Sequence, residues 1–327
     1  MTREESADAL KMMLQDVPSP AQVGAFMIAH RIRRPEPQEL AGMIDTYLKL
    51  GPRLISGKQQ KKPICFGMPF DGRTRTAPIY PLTALVLITA GQPVILQGGK
   101  RMPVKYGVTT QELLHGLGLP SIGLNIDKVQ CGFFKNNFAF IHQPTHFPEA
   151  DKLLPFREDI GKRPPVASME LLWTAHKGIH KLITGYVHIP TEARHITTLK
   201  LLGEKDFITM KGLEGGTDFS INNSTKTRII ENMKDTNILF NPKEYSLKSK
   251  DIDFKDVNEW QVQSIQALQG KGCLAKTLIW NAGIYLWLAK VSKSLPEGLS
   301  QAEKYVKSGE AIEKLFTLRR WHTDQFN

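Results

Sequence analysis

The chain has 327 residues, of which 41% are hydrophobic and 23% charged. These proportions exclude a disordered, collagen-like or coiled-coil chain and suit two folded units, or one large unit with an annex. Lys and Arg number 43 against 32 Asp and Glu, a net charge of +11. The excess is local, because residues 31–110 hold 13 basic and 4 acidic side chains. Such a field attracts phosphate, whether on nucleic acid or on a small ligand.

Residues 3–50 read as three helices. Glu4 to Leu14 is amphipathic, and Ser19 caps a helix with Pro20 in its first turn. PQELAGMIDTYLKL makes the third and stops at Gly51-Pro52. Lys58 to Lys62 reads as a basic hinge. A short buried strand, PICFGM, runs into the turn Phe70-Asp71-Gly72. The helix Tyr80–Ala90, the strand Pro93–Leu96 and the pair Gly98-Gly99 follow, a parallel α/β order. Thr109 or Thr110 caps QELLHGLG. Phe138–Ile141 is expected as a strand, Glu149–Ile160 as a helix, and Gly185–His188 and Phe207–Met210 as strands, the last ending at the turn Gly212–Gly216. Residues 241–256 read as an exposed loop. Val257–Leu268, Leu274–Val291 and Leu299–Leu315 read as three closing helices.

The apolar stretch Leu278–Val291 is broken by Asn281 and Lys290 and falls short of the roughly 20 residues of a membrane span. The N-terminal residues lack the pattern of a secretory signal. Cys65, Cys131 and Cys273 lie far apart, which argues against a disulfide framework or a zinc module. A reducing, cytoplasmic location with no membrane is expected.

Two loops carry the candidate chemistry. FGMPFDGRTRT, Phe66 to Thr76, joins a strand to a helix and can offer backbone N–H groups with Arg73 and Arg75 to a phosphate. LQGGKRMPVKYG, Leu96 to Gly107, follows the next strand and carries Gly99, Lys100, Arg101 and Lys105. Together they suggest an anion site across the carboxyl edge of a parallel sheet. Ordinary turns with surface cations are the simpler alternative. MKGLEGGTD puts Glu214 and Asp218 on a Gly-rich turn, where Mg²⁺ could bridge to a phosphate. His142 and His146 on a Pro-containing loop, and His176 and His180 on a possible helix, lack a third ligand and read as structural. Trp260, Trp280, Trp287 and Trp321 read as core or dimer-contact residues.

In order and spacing, these segments resemble the anthranilate phosphoribosyltransferase family, glycosyltransferase family 3. AQVGAFMIAHRIR with PQEL is similar to the family's AQIGAFLMALR…EEL. VILQGGKR stands where the family has VAKHGNR. HFPEADKLLPFREDIGKR resembles HPAMKHVAPVRKELGVR. WNAGIYLWLA and EGLSQAEKYVKSGEAIEKL resemble the closing helices, while the start of the chain lies where the family's second helix would. There are departures. The diphosphate loop GTGGDG is here Gly67, Met68, Pro69, Phe70, Asp71, Gly72, with a bulky ring and a residue lacking N–H in place of glycines. KHGNR becomes Gln97, Gly98, Gly99, Lys100, Arg101. The family's metal-binding Asp-Glu falls near Thr217 and Asp218. These changes resemble a TrpD-like subgroup that includes a non-sequence-specific nucleic-acid binder.

The resemblance implies a small all-helical domain plus a larger α/β domain with a central, mostly parallel sheet. The helical part, expected to dimerise, takes 1–54 and 146–175; the α/β part takes 55–145 and 176–327. It implies phosphoribosyl diphosphate or another phosphorylated ligand at Gly67, Asp71, Gly72, Arg73, Arg75, Gly99, Lys100, Arg101 and Lys105. Arg157 stands at the arginine that contacts anthranilate. Mg²⁺ would sit at Asp71, Glu214 and Asp218. Two functions are therefore expected: a phosphoribosyltransferase-like enzyme that is not an efficient anthranilate enzyme, or a protein that binds single-stranded DNA or RNA. In the second, Arg31, Arg33, Arg34, Lys58, Lys61, Lys62, Arg73, Arg75, Lys100, Arg101 and Lys105 line a groove.

Overall fold

The computed structural model describes residues 1–120, 122–232 and 234–326. Three helices open the chain: α1 Arg3–Leu14, α2 Pro20–Arg33 and α3 Pro37–Leu50. Thr2 and Ser19 accept the N–H of Glu5 and Gln22, whose side chains return the bond, so both starts are capping boxes. Pro20 and Pro37 sit in first turns, where a missing N–H costs nothing. α1 lies on α3, with Gly42 so near the Arg3 carbonyl that a Cβ would overlap it.

Seven strands form one sheet: β1 Ile64–Gly67, β2 Val94–Gly98, β3 Phe138–His142, β4 Lys181–Gly185, β5 Asp206–Met210, β6 Thr225–Glu231 and β7 Lys234–Phe240. Their order is β3-β2-β1-β4-β5-β6-β7. The first five are parallel, and β6 and β7 extend the sheet antiparallel. The parallel strands are buried on both faces, and their side chains alternate between two apolar clusters. Ile64, Phe66, Ile183 and Ile208 face the helices Tyr80–Thr89 and Ala275–Leu288. Cys65, Leu182 and Phe207 face α1–α3 and residues 147–173. The result is a small helical N-terminal domain beside a larger α/β domain, as the sequence led us to expect. Trp260 and Trp280 belong to the core, their indole N–H groups donating to Pro78 O (2.8 Å) and Ser220 O (3.1 Å). Among the described residues no helix is long and apolar enough to cross a membrane.

Several elements depart from the sequence reading. The strand expected at Gly185–His188 lies at Lys181–Gly185, because Lys181 is buried against Asp206 (2.9 Å) and Glu231 (3.6 Å) and so hides its strand. The helix expected over Glu149–Ile160 is two short helices, Pro148–Asp151 and Leu154–Ile160, divided ahead of Pro155. Leu299–Leu315 is likewise split at Gly309, whose φ of 84° ends Leu295–Lys307 and starts Glu310–Asp324. His176 and His180 are not on a helix. The strands β6 and β7 and the helices Ile126–Asn136 and Ile189–Leu201 were not expected.

Candidate functional site

β1 and β4 are neighbours within the parallel strands, and the chain leaves β1 toward β2 on one side and β4 toward β5 on the other. Loops after such a pair diverge and leave a crevice at the carboxyl edge. Here the crevice is a cleft of about 140 Å³. Phe70 and Asp71 come from the loop after β1, Lys105 from that after β2, His188 from that after β4 and Glu214 from that after β5. Arg157 and Arg163 enter from the segment between β3 and β4.

The two loops singled out in the sequence are tied together. Arg73 N–H donates to Val108 O (3.2 Å), Val108 N–H to Arg73 O (2.8 Å) and Gly107 N–H to Asp71 O (3.0 Å). Gly72 has φ 78°, and a Cβ there would overlap the Gly107 and Val108 carbonyls. Only glycine meets both demands. Pro69 has no N–H, and the Gly72 N–H is spent on Pro69 O (3.1 Å). Phe70 is buried and lines the cleft.

The charges of the cleft neutralise one another. Arg73 is buried, donating to Asp218 Oδ2 (2.8 Å), to Glu214 Oε1 (3.2 Å) and to the Thr76 hydroxyl. Glu214 also accepts the N–H groups of Thr74 (3.1 Å), Arg75 (3.0 Å) and Thr76 (3.0 Å). Burial alone would raise the Glu214 carboxyl, but Arg73 and these amides hold it at about 2. Asp218 takes the Ile79 N–H (3.0 Å), and its complete burial raises its pKa in spite of Arg73. Asp71 is paired with Arg163 and lies 3.7 Å from the Lys105 ammonium. Burial lowers the Lys105 pKa, and Asp71 opposes that. Arg157 is paired with Glu170 at 2.7 Å, both side chains being buried.

The depressed Glu214 value carries a pH dependence. A carboxyl held below its ordinary 4.5 stabilises the fold above that pH and loses the contribution as pH falls toward 2. The difference in unfolding free energy between wild type and Glu214→Gln is expected to be at most roughly 3 kcal/mol near neutrality. It should shrink steadily in urea titrations taken from about pH 6 down to pH 3. A difference independent of pH would show that Glu214 is not held ionised.

The remaining expected site residues are scattered. Gly67 is buried, pressed against the Leu171 carbonyl. Arg75 is 78% exposed at its side chain and lies 3.9 Å from Glu214 Oε2. Gly99 is buried beside Met102. Lys100 and Arg101 face outward and pair with Asp151 (2.7 Å) and Glu112 (2.8 Å). The eleven expected cations do not form one groove. Lys58, Lys61 and Lys62 precede β1 at the amino edge of the sheet, where Lys62 pairs with Asp206 at the start of β5. Arg73, Arg75, Lys100, Arg101 and Lys105 lie at the carboxyl edge, and Arg73 is turned inward. Arg163, Glu170 and His188 were missed. Arg163 follows Arg157 by six residues across the left-handed Gly161, and nothing in that spacing signals that both reach one cleft.

Glu214 and Asp218, as placed, do not fit Mg²⁺. The Arg73 guanidinium lies between them, and among the described residues no three His, Cys, Asp or Glu side chains gather to hold a metal ion.

Residues 73–312 match the a/b domain of the glycosyl transferase family, and residues 1–51 match its helical bundle domain. The chain belongs to this family, glycosyltransferase family 3, that of the anthranilate phosphoribosyltransferases. An Aquifex aeolicus protein of uncharacterized function is 24% identical, covering 93% of each chain. An anthranilate phosphoribosyltransferase from Dehalococcoides mccartyi is 25% identical, covering 97% of this chain and 93% of that one. Among solved structures, the Thermus thermophilus anthranilate phosphoribosyltransferase superposes with a TM-score of 0.81 at 21% identity, covering 99% of this chain and 96% of that one. The Saccharomyces cerevisiae enzyme in complex with PRPP and Mg gives 0.83 at 16% identity, covering 99% and 94%.

Proposed function

We propose that this chain is a glycosyltransferase family 3 scaffold whose transfer site is closed by its own side chains, and that its ligand is a nucleic-acid backbone bound at the surface. One observation carries the reading: every acid that meets the cleft is answered by a base of the same chain. Phosphoribosyl transfer is mostly positioning and charge stabilisation, so it needs donors left free for the diphosphate and a cation left free for the acceptor. Here Arg73 serves Glu214 and Asp218, Arg157 serves Glu170, and Asp71 engages Lys105 and Arg163. The net charge of +11 is therefore expressed outside the cleft. Arg31 and Arg34 end α2, which packs on the helix Leu154–Ile160, with Arg33 between them paired to the buried Glu39; Arg75, Lys100 and Arg101 lie on the loops at the carboxyl edge, where Lys100 and Arg101 keep 56% and 54% of their exposure in weak surface pairs with Asp151 and Glu112.

Anisotropy titrations with labelled single-stranded DNA and RNA test this. Affinity should fall with salt at a slope in log K of about −0.7 per phosphate contact. Arg75→Ala, Lys100→Ala and Arg101→Ala combined should weaken every sequence alike and flatten the slope, since backbone contacts carry no sequence information. No binding, or binding indifferent to salt, overturns the nucleic-acid reading. Anthranilate fluorescence should persist on incubation with phosphoribosyl diphosphate and Mg²⁺. Turnover in the common range of about 1–10³ s⁻¹ would show the site open.

A second reading, a small phosphorylated ligand in the cleft, draws support from Arg163 and Lys105, whose side chains keep 43% and 21% of their exposure at its mouth. Calorimetric titration with phosphoribosyl diphosphate separates the two, because saturable binding abolished by Arg163→Ala belongs to the cleft alone.

A further inference from the structure

We infer that Arg73 is the resident cation of this cleft, holding Glu214 and Asp218 together as a divalent ion holds paired carboxylates, and that the chain binds no Mg²⁺ there. The inference extends the closed-site reading and does not depend on which anion binds at the surface.

Position is the first support. The guanidinium reaches Glu214 at 3.2 Å and Asp218 at 2.8 Å, and the three side chains are 1%, 3% and 1% exposed. The second is enclosure. Glu214 already takes three backbone N–H groups besides Arg73, while Asp218 Oδ1 accepts no hydrogen bond among the described residues but is sealed from solvent. Mg²⁺ demands octahedral oxygen ligation and keeps several of its waters, which a sealed carboxylate oxygen cannot accommodate. A guanidinium needs no waters, and its planar fork of donors serves two carboxylates at once.

Third is the tether. The backbone of Arg73 is bonded in both directions to Val108, and Gly107 bonds to Asp71. An incoming ion would have to expel a side chain whose main chain is clamped. Fourth is charge. Arg73, Lys105 and Arg163 balance Asp71, Glu214 and Asp218, so a dication added to the group leaves it with surplus positive charge in a buried place. Through Arg73 and the N–H groups of residues 74–76, Glu214 joins the Gly-rich turn 212–216 to the loop 67–76.

Mn²⁺ is the probe, followed by the paramagnetic resonance of the free ion as the full chain is titrated. Wild type and Asp218→Asn are expected to depress the signal equally. The melting temperature of wild type should be the same in EDTA and in a few millimolar Mg²⁺. One saturable Mn²⁺ per chain in wild type, displaced by Mg²⁺ and removed by Asp218→Asn or Glu214→Gln, overturns the inference. Should neither variant fold, the wild-type titration decides: no saturable site supports it, and a one-per-chain site that raises the melting temperature overturns it. DNA and RNA anisotropy in EDTA reports on the nucleic-acid reading separately, so the failure of either is recognisable.

Discussion

Arg73→Met is expected to lower the unfolding free energy by about 3–5 kcal/mol. The methionine nearly preserves the volume of the side chain, so packing changes little. What changes is charge: Glu214 and Asp218 lose their shared cation while remaining buried. Breaking a buried ion pair from one side is far costlier than the pair is worth, because the abandoned charge must be desolvated alone. Asp218, already raised by burial, should then take up a proton near neutral pH more readily. Denaturant unfolding followed by tryptophan fluorescence measures the loss. Arg75→Ala is the comparison: its side chain is 78% exposed and reaches Glu214 only at 3.9 Å, so it should stay within about 0.5 kcal/mol of wild type. Equal effects at the two positions would show that Arg73 is not an internal counter-ion.

Glu170→Leu is expected to cost a similar ~3–5 kcal/mol, and here a second substitution recovers most of it. Arg157 is 2% exposed, and its Nε and Nη2 have no hydrogen-bond partner among the described residues, so Glu170 is the group that answers its charge. Burial raises the Glu170 pKa, and Arg157 opposes that. Removing the carboxylate strands the guanidinium. Removing both, as Arg157→Met with Glu170→Leu, leaves an apolar contact of similar volume, and such replacements are often neutral. The double variant should therefore be more stable than Glu170→Leu by about 2 kcal/mol or more. Additive losses would mean that the two side chains act independently.

What the sequence discloses and what it hides follow from the reach of each interaction. The caps at Ser19 and Thr109 and the turn at Asp71-Gly72 are local, and the helices and loops they mark stand where the spacing puts them. β4 was displaced because Lys181 looks solvent-bound until Asp206 and Glu231, far along the chain, are seen beside it. The hairpin of β6 and β7 carries polar residues on an exposed edge, so its alternation is weak. The site divides in the same way. Asp71, Arg73, Glu214 and Asp218 were legible as residues that meet. Their pairing was not, because it depends on side chains 141 and 145 positions apart in sequence. The piece missing beside Arg157 was Glu170, an unremarkable letter until it is found against that arginine.

The mutual neutralisation of the cleft also restricts where this sequence can go. Arg73, Glu214 and Asp218 depend on one another, as do Arg157 and Glu170, so a single replacement that strands one of these charges costs about 3–5 kcal/mol, a large fraction of the about 5–15 kcal/mol that holds an ordinary domain together. Fitting a metal and a diphosphate into the cleft would require several coordinated changes, each harmful without the others. The cluster thus works as an epistatic ratchet: change costs the fold little along the exposed loops, where surface recognition can be retuned one residue at a time, and is arrested among the buried charges of the cleft.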